Sequence, residues 1–339
     1  MTRVLHVVRD WVRPSEGFVA DVVGASREPV VGYGTRWPAV VPEVRSYAVG
    51  RLPDKALRAA LAAIAWRHRS RVVHAHFGYW ARHAEALARR TGRPWVLSLH
   101  GHDLLVEGCA VAPLADRVVV PSTYLADAAS AAGVPDERLR VIPAGIDLSR
   151  YPFRERAPHE GPATVVFAGR YVEKKGVLDA ARAMAGLTGI RRVFVGHGPQ
   201  EPELRALLAE LAVEAELVDG SVPGELARVL QSADLVVTAS KVAADGDAET
   251  LGLVNLEALA SGAPLVTTRT GGVPEAVGDA AVLVAPGDAG ALQRELQRLL
   301  DDPGSWPEIG RRGRAHVEAR FDLRDRVADL EAMWDELVR

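Results

Sequence analysis

Short apolar, β-branched runs alternate with Ala/Leu/Arg-rich helical patterns along most of this chain, and that alternation confines it to α/β folds built on parallel sheets. In the first half, predicted strands cover residues 4–8, 29–33, 44–49, 72–75, 95–99 and 117–120. Asp54 is placed to cap a helix carrying Leu57, Leu61, Ile64 and Ala65 on one face, and residues 79–90 and 122–132 read as further helices. Several strands are apolar throughout, as they are when helices cover both faces of a sheet. The stretch 151–162 breaks the rhythm: Pro152, Pro158 and Pro162 stand among charged residues, and it reads as a linker. The rhythm then restarts, with strands at 164–168, 192–195, 216–218, 235–237, 265–267 and 281–284, and helices at 177–185, 201–212, 224–231, 253–260 and 290–300. Beyond Pro303 the chain reads as helical to Arg339, with a break near Phe321 and Asp322.

A chain of 339 residues suits two such domains, at about 150 residues each. Its apolar content of 48% is enough for two cores, and its net charge of -3 argues against nucleic-acid binding, which needs a concentrated basic surface. Cys109 is the only cysteine, so no intrachain disulfide forms, which fits a reducing compartment. The apolar run Val4 to Val8 is too short for a secretory segment, and no apolar stretch approaches the ~20 residues that span a bilayer. A soluble cytoplasmic protein is expected.

Doubly wound sheets bind ligands beyond the carboxyl ends of their strands, so the chemistry is sought in the loops that follow strands. Glu249 and Glu257 stand eight residues apart, about two helical turns. Glu249 is expected just before a helix that opens at Leu253, and Glu257 within it. Gly252 lets a ligand approach the helix N-terminus, where free N–H groups and the positive dipole end favour phosphate. Two solvated carboxylates on a surface helix are the alternative. Arg170 and Lys175 flank a strand-to-helix junction where their charges can converge on a diphosphate. Only four lysines occur, Lys55, Lys174, Lys175 and Lys241, so a pair at one strand end is less easily idle; a solvated charged turn is the alternative. His100-Gly101-His102-Asp103 follows a first-half strand and supplies a titratable ring, or else an incidental histidine in a capped turn.

Together these three stretches resemble the large glycosyltransferase family 4, whose members are retaining enzymes of GT-B fold with an E-x7-E motif. The resemblance spans nearly the whole chain. The segment from Pro143 through Asp147 to Tyr151 looks like the family's end of the first domain. The loop Gly196-His197-Gly198-Pro199 looks like the one flanking the nucleotide. Ser240, Gly262-Ala263-Pro264 and Gly271-Gly272-Val273-Pro274-Glu275 also fall where the family has similar residues. Pro14-Ser15-Glu16-Gly17-Phe18 and His74-Ala75-His76-Phe77-Gly78 are similar to the branch that builds cell-surface glycans. The resemblance implies two Rossmann-like doubly wound domains facing a central cleft. Residues 1–153 would form the acceptor-side domain and 154–320 the donor-binding domain, while a closing helix at 321–339 would pack back on the first.

The same resemblance implies a hexosyltransferase moving a sugar from a UDP- or GDP-sugar to a small-molecule, lipid-linked or glycan hydroxyl. Arg170 and Lys175 would neutralise the donor diphosphate. Glu249 would hold donor-sugar hydroxyls, and Glu257 the nucleotide ribose. Backbone N–H groups of Leu251, Gly252, Leu253 and Val254 would contact phosphate, with Thr250 and Gly198 beside the nucleotide. His100 would lie against the donor sugar, and Gly17, in the first loop, near the diphosphate. Two departures bear on donor geometry: Thr250 stands where glycine is common, and the first loop lacks paired glycines. No cofactor, metal or nucleic acid is implied, and membrane contact is implied only if the acceptor is lipid-linked.

Other readings fit less of the chain. Asp245-Gly246-Asp247 has the spacing of a manganese site in a different transferase fold, and a non-catalytic nucleotide-sugar binder would share this fold. His74/His76 and His100/His102 invite a metal hydrolase, but no third ligand is evident beside either pair. No G-x-G-x-x-G follows a first strand, so a nicotinamide enzyme is not indicated.

Overall fold

The computed structural model describes residues 2–11, 16–36, 44–50 and 52–339; Pro14 and Ser15 lie outside them. The chain divides into two compact units, Met1–Gly145 with Leu323–Arg339, and Ile146–Asp322.

The first unit is built on a sheet of seven parallel strands: β1 (Val4–Trp11), β2 (Val30–Arg36), β3 (Arg45–Ala48), β4 (Val72–His76), β5 (Trp95–Ser98), β6 (Arg117–Val120) and β7 (Leu139–Val141). Their order is β3-β2-β1-β4-β5-β6-β7, the doubly wound arrangement with its switch point between β1 and β4. Helices α1 (Gly17–Ala25), α2 (Asp54–Arg67), α3 (Ala81–Thr91), α4 (His102–Leu105) and α5 (Thr123–Ala131) connect them. Successive strand residues point to opposite faces. Leu5, Val73, Ala75, Leu97 and Val118 therefore join the apolar sides of α2, α3 and α5 in one core, while Val4, Val72, Val96 and Val119 face the other way. The buried stripe of α2 is the expected one, Leu57, Leu61, Ile64 and Ala65. Asp54 is the first residue of that helix and not its cap; Pro53 holds the cap position, and the Asp54 charge suits the positive helix end.

The second unit repeats the plan with six parallel strands: β8 (Ala163–Ala168), β9 (Ile190–Gly196), β10 (Glu216–Asp219), β11 (Leu235–Val237), β12 (Leu265–Thr268) and β13 (Val282–Val284). They run in the order β10-β9-β8-β11-β12-β13. Its helices are α6 (Val177–Ala185), α7 (Glu201–Glu210), α8 (Glu225–Ser232), α9 (Leu253–Ser261), α10 (Val273–Val277), α11 (Ala289–Asp301) and α12 (Trp306–Arg320). The chain breaks at Phe321 and ends in α13 (Leu323–Glu336), whose Leu323, Val327, Leu330, Met333 and Trp334 pack on the Val4–Val72–Val96–Val119 face of the first sheet.

The proline-rich stretch is stitched into the second unit. Arg156 is fully buried there, and its guanidinium donates to the carbonyls of Arg154, Leu230, Ala233 and Ser261. Five N–H donors in a rigid fork allow one side chain to satisfy that many carbonyls. Burial pulls its pKa down to about 10. The contact division falls at residues 145/146, eight residues before the expected 153/154.

Candidate active site

In the second unit, β8 ends at Ala168 and the chain passes Gly169 and exposed Arg170 into a single 3-10 turn, Glu173–Lys175, that projects two lysines before α6 begins. The long loop between β11 and α9 comes back to meet that turn. Lys241 N donates to Lys174 O at 2.9 Å, Lys174 Nζ sits 2.9 Å from the Asp247 carboxylate, and Lys241 Nζ donates to Asp179 Oδ2 at 2.8 Å. Lys175 Nζ is paired with Glu249 Oε2. Three of the four lysines thus meet three carboxylates at one end of the sheet. Asp247 is committed to Lys174, and Asp245 Oδ1 accepts from the Asp247 N–H at 2.9 Å, so the two aspartates brace the loop.

Glu249 is 9% exposed. Burial pushes its carboxyl up, but the Lys175, Lys174 and Arg170 charges outweigh burial and hold it below the ordinary glutamate value. Its backbone carbonyl accepts from Gly272 N at 2.9 Å, and a Cβ on Gly271 would stand 1.9 Å from that same oxygen, so the loop after β12 closes on Glu249 only because Gly271 has no side chain. Gly252 takes the cap position of α9 at φ 81°, a left-handed conformation that favours glycine, and no side chain caps the helix. A Cβ there would lie 3.4 Å from Glu249 Cγ, so the uncapped start of α9 and the carboxylate are neighbours. Thr250 and Leu251 are buried, and Leu253 and Val254 are half-buried at the first turn. Asn255 locks that turn to the sheet through Thr238 Oγ1 at 2.8 Å, which also bonds Thr267 Oγ1 at 2.7 Å.

Glu257 lies inside α9, and its Oε1 accepts from Tyr151 Oη at 2.7 Å. Gly198 follows β9; a Cβ there would meet Tyr171 O at 2.5 Å, and Tyr171 N donates to His197 O at 2.8 Å, tying the loops after β8 and β9 together. The second unit therefore gathers Arg170, Lys175, Glu249 and the start of α9, with Glu257 farther along that helix. The Lys174–Asp247 and Lys241–Asp179 pairs and the Tyr151 tether were not foreseen. The scarcity of lysine was their one trace in the sequence.

In the first unit, His100 follows β5. Asp103 fixes this loop: Oδ1 accepts from His100 N at 3.0 Å and Gly101 N at 2.9 Å, and Oδ2 from Gly78 N at 2.9 Å. The His100 ring lies 4.3 Å from the Phe77 ring and 4.9 Å from that of Phe18, centroid to centroid, and burial pushes its pKa down to about 3. Gly17 is not in the first loop as expected; it is the first residue of α1, and a Cβ there would meet nothing within 4 Å. Valines at 19, 22 and 23 supply a buried side that makes this stretch a helix.

The His74/His76 pair does acquire a third residue. His6 sits directly beside His74 in the β1–β4 register, and one ring nitrogen from each of the three lies within 4.8 Å of the others. Among the described residues this is the only grouping of metal-capable side chains. Its chemistry is that of packed neutral rings: His6 Nδ1 is 3.0 Å from His76 Nε2, His74 Nε2 is 2.8 Å from Ser98 Oγ, and the His74 and His76 rings stack at 4.4 Å. Among the described residues no carboxylate joins them to offset an ion's charge in the core. His102 stays out of this group and faces Glu107 at 3.7 Å.

Comparison with known proteins identifies the family. The family profile "Glycosyl transferases group 1" covers residues 151–316, and "Glycosyltransferase Family 4" covers residues 2–150. The GDP-mannose-dependent alpha-(1-6)-phosphatidylinositol monomannoside mannosyltransferase of Mycolicibacterium smegmatis is 32% identical over 72% of this chain and 71% of its own length. The chain belongs to glycosyltransferase family 4. The glycogen synthase of Mycobacterium tuberculosis is also 32% identical, over 74% of this chain, and the matched region spans 65% of that relative's length. Among solved structures, Anabaena HepE in complex with UDP superposes at a TM-score of 0.81 with 19% identity, covering 99% of this chain and 100% of its own. Sucrose-phosphate synthase from Thermosynechococcus elongatus superposes at 0.78 with 21% identity, covering 99% of each chain. These two share the GT-B fold of this family 4 member. Among the described residues no helix is long and apolar enough to cross a membrane.

Proposed function

We propose that this protein is a retaining, metal-independent glycosyltransferase of the bacterial cytoplasm. It would move a sugar from a UDP- or GDP-sugar to a hydroxyl acceptor in cell-surface glycan or natural-product assembly. One observation carries the reading: Lys175, Glu249 and the uncapped start of α9 lie together at the carboxyl end of the second sheet, with Arg170 adding its charge. Breaking the bond between the sugar C1 and the diphosphate oxygen builds negative charge on the leaving group. Lys175, Arg170 and the N–H groups from Leu251 to Val254 meet that charge without an ion. Attack by the acceptor oxygen on the same face lets a leaving phosphate oxygen take the acceptor's proton. Donor binding then transfers Glu249 from Lys175 alone to the sugar hydroxyls, while Tyr151 holds Glu257 for the ribose. In the same reading Thr250 and Gly198 flank the nucleotide, while His100 would serve the donor sugar and Gly17 the diphosphate. Three backbone N–H groups already occupy Asp103, which removes it as a base. The UDP complex of HepE and the GDP-mannose dependence of the M. smegmatis relative support a nucleoside-diphosphate donor.

The test is nucleotide release from α-configured UDP- and GDP-sugars with an acceptor panel, in excess EDTA, with the anomeric coupling of the product read by NMR. Release and an α-linked product are expected. A β-linked product overturns the mechanism, loss of activity in EDTA restored by manganese reinstates a metal, and nucleotide binding with no release leaves a binding protein.

Glu249 and Glu257 should fail differently. Glu257→Gln weakens bare nucleoside diphosphate and sugar nucleotide alike, by about ten- to a hundredfold for a lost charge-assisted contact. Glu249→Gln leaves bare-nucleotide affinity nearly intact and lowers turnover. Calorimetric titration of both variants with UDP and GDP separates them, and equal losses would show the two roles to be wrongly divided.

A further inference from the structure

The amino-terminal ends of β4 and β5 carry a feature that sugar transfer does not use. Arg67 from the last turn of α2, Arg69 and Arg71 from the turn into β4, and Arg93 from the turn into β5 line a cavity of about 820 Å3. Among the described residues no acidic side chain lines it, although the chain as a whole carries a net charge of -3. Two of the four guanidinium groups are held by the protein's own backbone: Arg93 Nε donates to Ser70 O at 2.6 Å and Arg71 Nη2 to Val338 O at 2.7 Å. Ser70, another lining residue, is buried, and its hydroxyl has no partner in the protein. At the rim stands Trp66, 79% exposed, whereas Trp11, Trp95, Trp306 and Trp334 are all buried.

We propose that this arginine pocket binds the phosphate head groups of anionic lipids and docks the first unit on a membrane surface, with Trp66 as the interfacial anchor. Guanidinium forks match phosphate oxygens in pairs, and a cluster of them in one concave site is satisfied by phosphate better than by water. An indole left in water is unfavourable, but at the head-group level its apolar ring and N–H are both accommodated. The Trp–Arg combination is what selects a bilayer over a soluble anion, which would have no use for an exposed indole. The pocket lies at the opposite end of β5 from His100, so docking leaves the His100 loop unobstructed. The inference therefore stands independently of the transferase reading.

Co-sedimentation tests it, using vesicles of pure phosphatidylcholine and of phosphatidylcholine with phosphatidylglycerol. Binding is expected only to the anionic vesicles and should weaken with added salt. Arg67→Ala and Arg69→Ala should each lower the partition coefficient about fivefold, and Trp66→Ala should lower it as well. All three variants should keep wild-type nucleotide affinity, which shows that they fold. Absent binding, equal binding to both vesicles, or variants that bind like the parent overturn the proposal. Two further outcomes also overturn it: thermal stabilisation by pyrophosphate through the same arginines without vesicle binding makes the ligand a free anion, and capture of an acidic protein with vesicles ignored makes it a protein surface.

Discussion

Lys175→Ala is expected to weaken nucleoside-diphosphate binding and slow turnover by about ten- to a hundredfold each, the loss of one charge-assisted contact of roughly 1.5–3 kcal/mol, and to lower the melting temperature as well. The two effects have one origin. Lys175 and Glu249 pair where their side chains are only 15% and 12% exposed, so removing the ammonium leaves a carboxylate in a poorly solvated place. Breaking such a pair on one side costs more than the pair contributes, because the remaining charge is uncompensated. Lys174 and Arg170 still act on Glu249 and soften the loss, and the carboxyl gains a second escape by taking up a proton, since burial already pushes it upward. Glu249 in the variant should therefore titrate at higher pH than in the parent. Arg170→Ala removes an exposed charge, so it should reduce diphosphate affinity to a similar degree with little change in melting temperature. Calorimetry with UDP and GDP, beside thermal melts, reads both. Unchanged affinity for the bare diphosphate in both variants would place the phosphates elsewhere.

A second large effect is acid lability of the first unit. His6, His74, His76 and His100 form a connected group of rings, with centroids 5.3 Å apart for His6 and His76, 4.4 Å for His74 and His76 and 6.3 Å for His76 and His100. Burial lowers the pKa of every one, to about 3 for His76 and His100. Trp334 of α13 packs edge-on against His6 and His74, and among the described residues no carboxylate joins the inner three to stabilise a charge. The sign follows from these depressed values. An unfolded histidine binds its proton near pH 6.5, and the folded one does not until far lower. The native advantage is complete above about pH 6.5 and is lost progressively as pH falls toward 3. His76 alone steepens the loss by about 1.4 kcal/mol per pH unit in that window, and the other three act in the same direction. Denaturant unfolding followed by near-UV signals at pH 7, 6 and 5 should show stability falling at each step. His76→Gln should reduce the slope by about one proton. Stability that is flat from pH 7 to 5 would mean that the rings are hydrated or charged in the native state.

Most of the fold was legible because both strand and helix patterns here are strong local signals. Each of the twelve predicted strands corresponds to a strand of the structure, since runs such as Val4–Val8 and 164–168 are apolar enough to be buried on both faces. The strand that was missed, β7, is three residues with an arginine at its centre, and it lies at a sheet edge where one neighbour suffices. Helices α1, α4 and α10 were missed for related reasons. Two are only four and five residues long, and α1 has valines whose spacing does not separate a helix from a loop.

The sequence by itself determined the architecture, the family and which residue types stand at strand ends, because these depend on patterns within about thirty residues. Tertiary structure alone decided the partners. Lys174 with Asp247 and Lys175 with Glu249 are joined across more than seventy residues, and Tyr151 with Glu257 across more than a hundred. His6 meets His74 and His76 because β1 and β4 are adjacent at the point where the sheet reverses its winding. Arg156 reads as one more charge in a polar linker, yet it is buried against three carbonyls at the ends of α8 and α9. A charge becomes structural or functional through what surrounds it in space, and strand order, not sequence spacing, sets those surroundings.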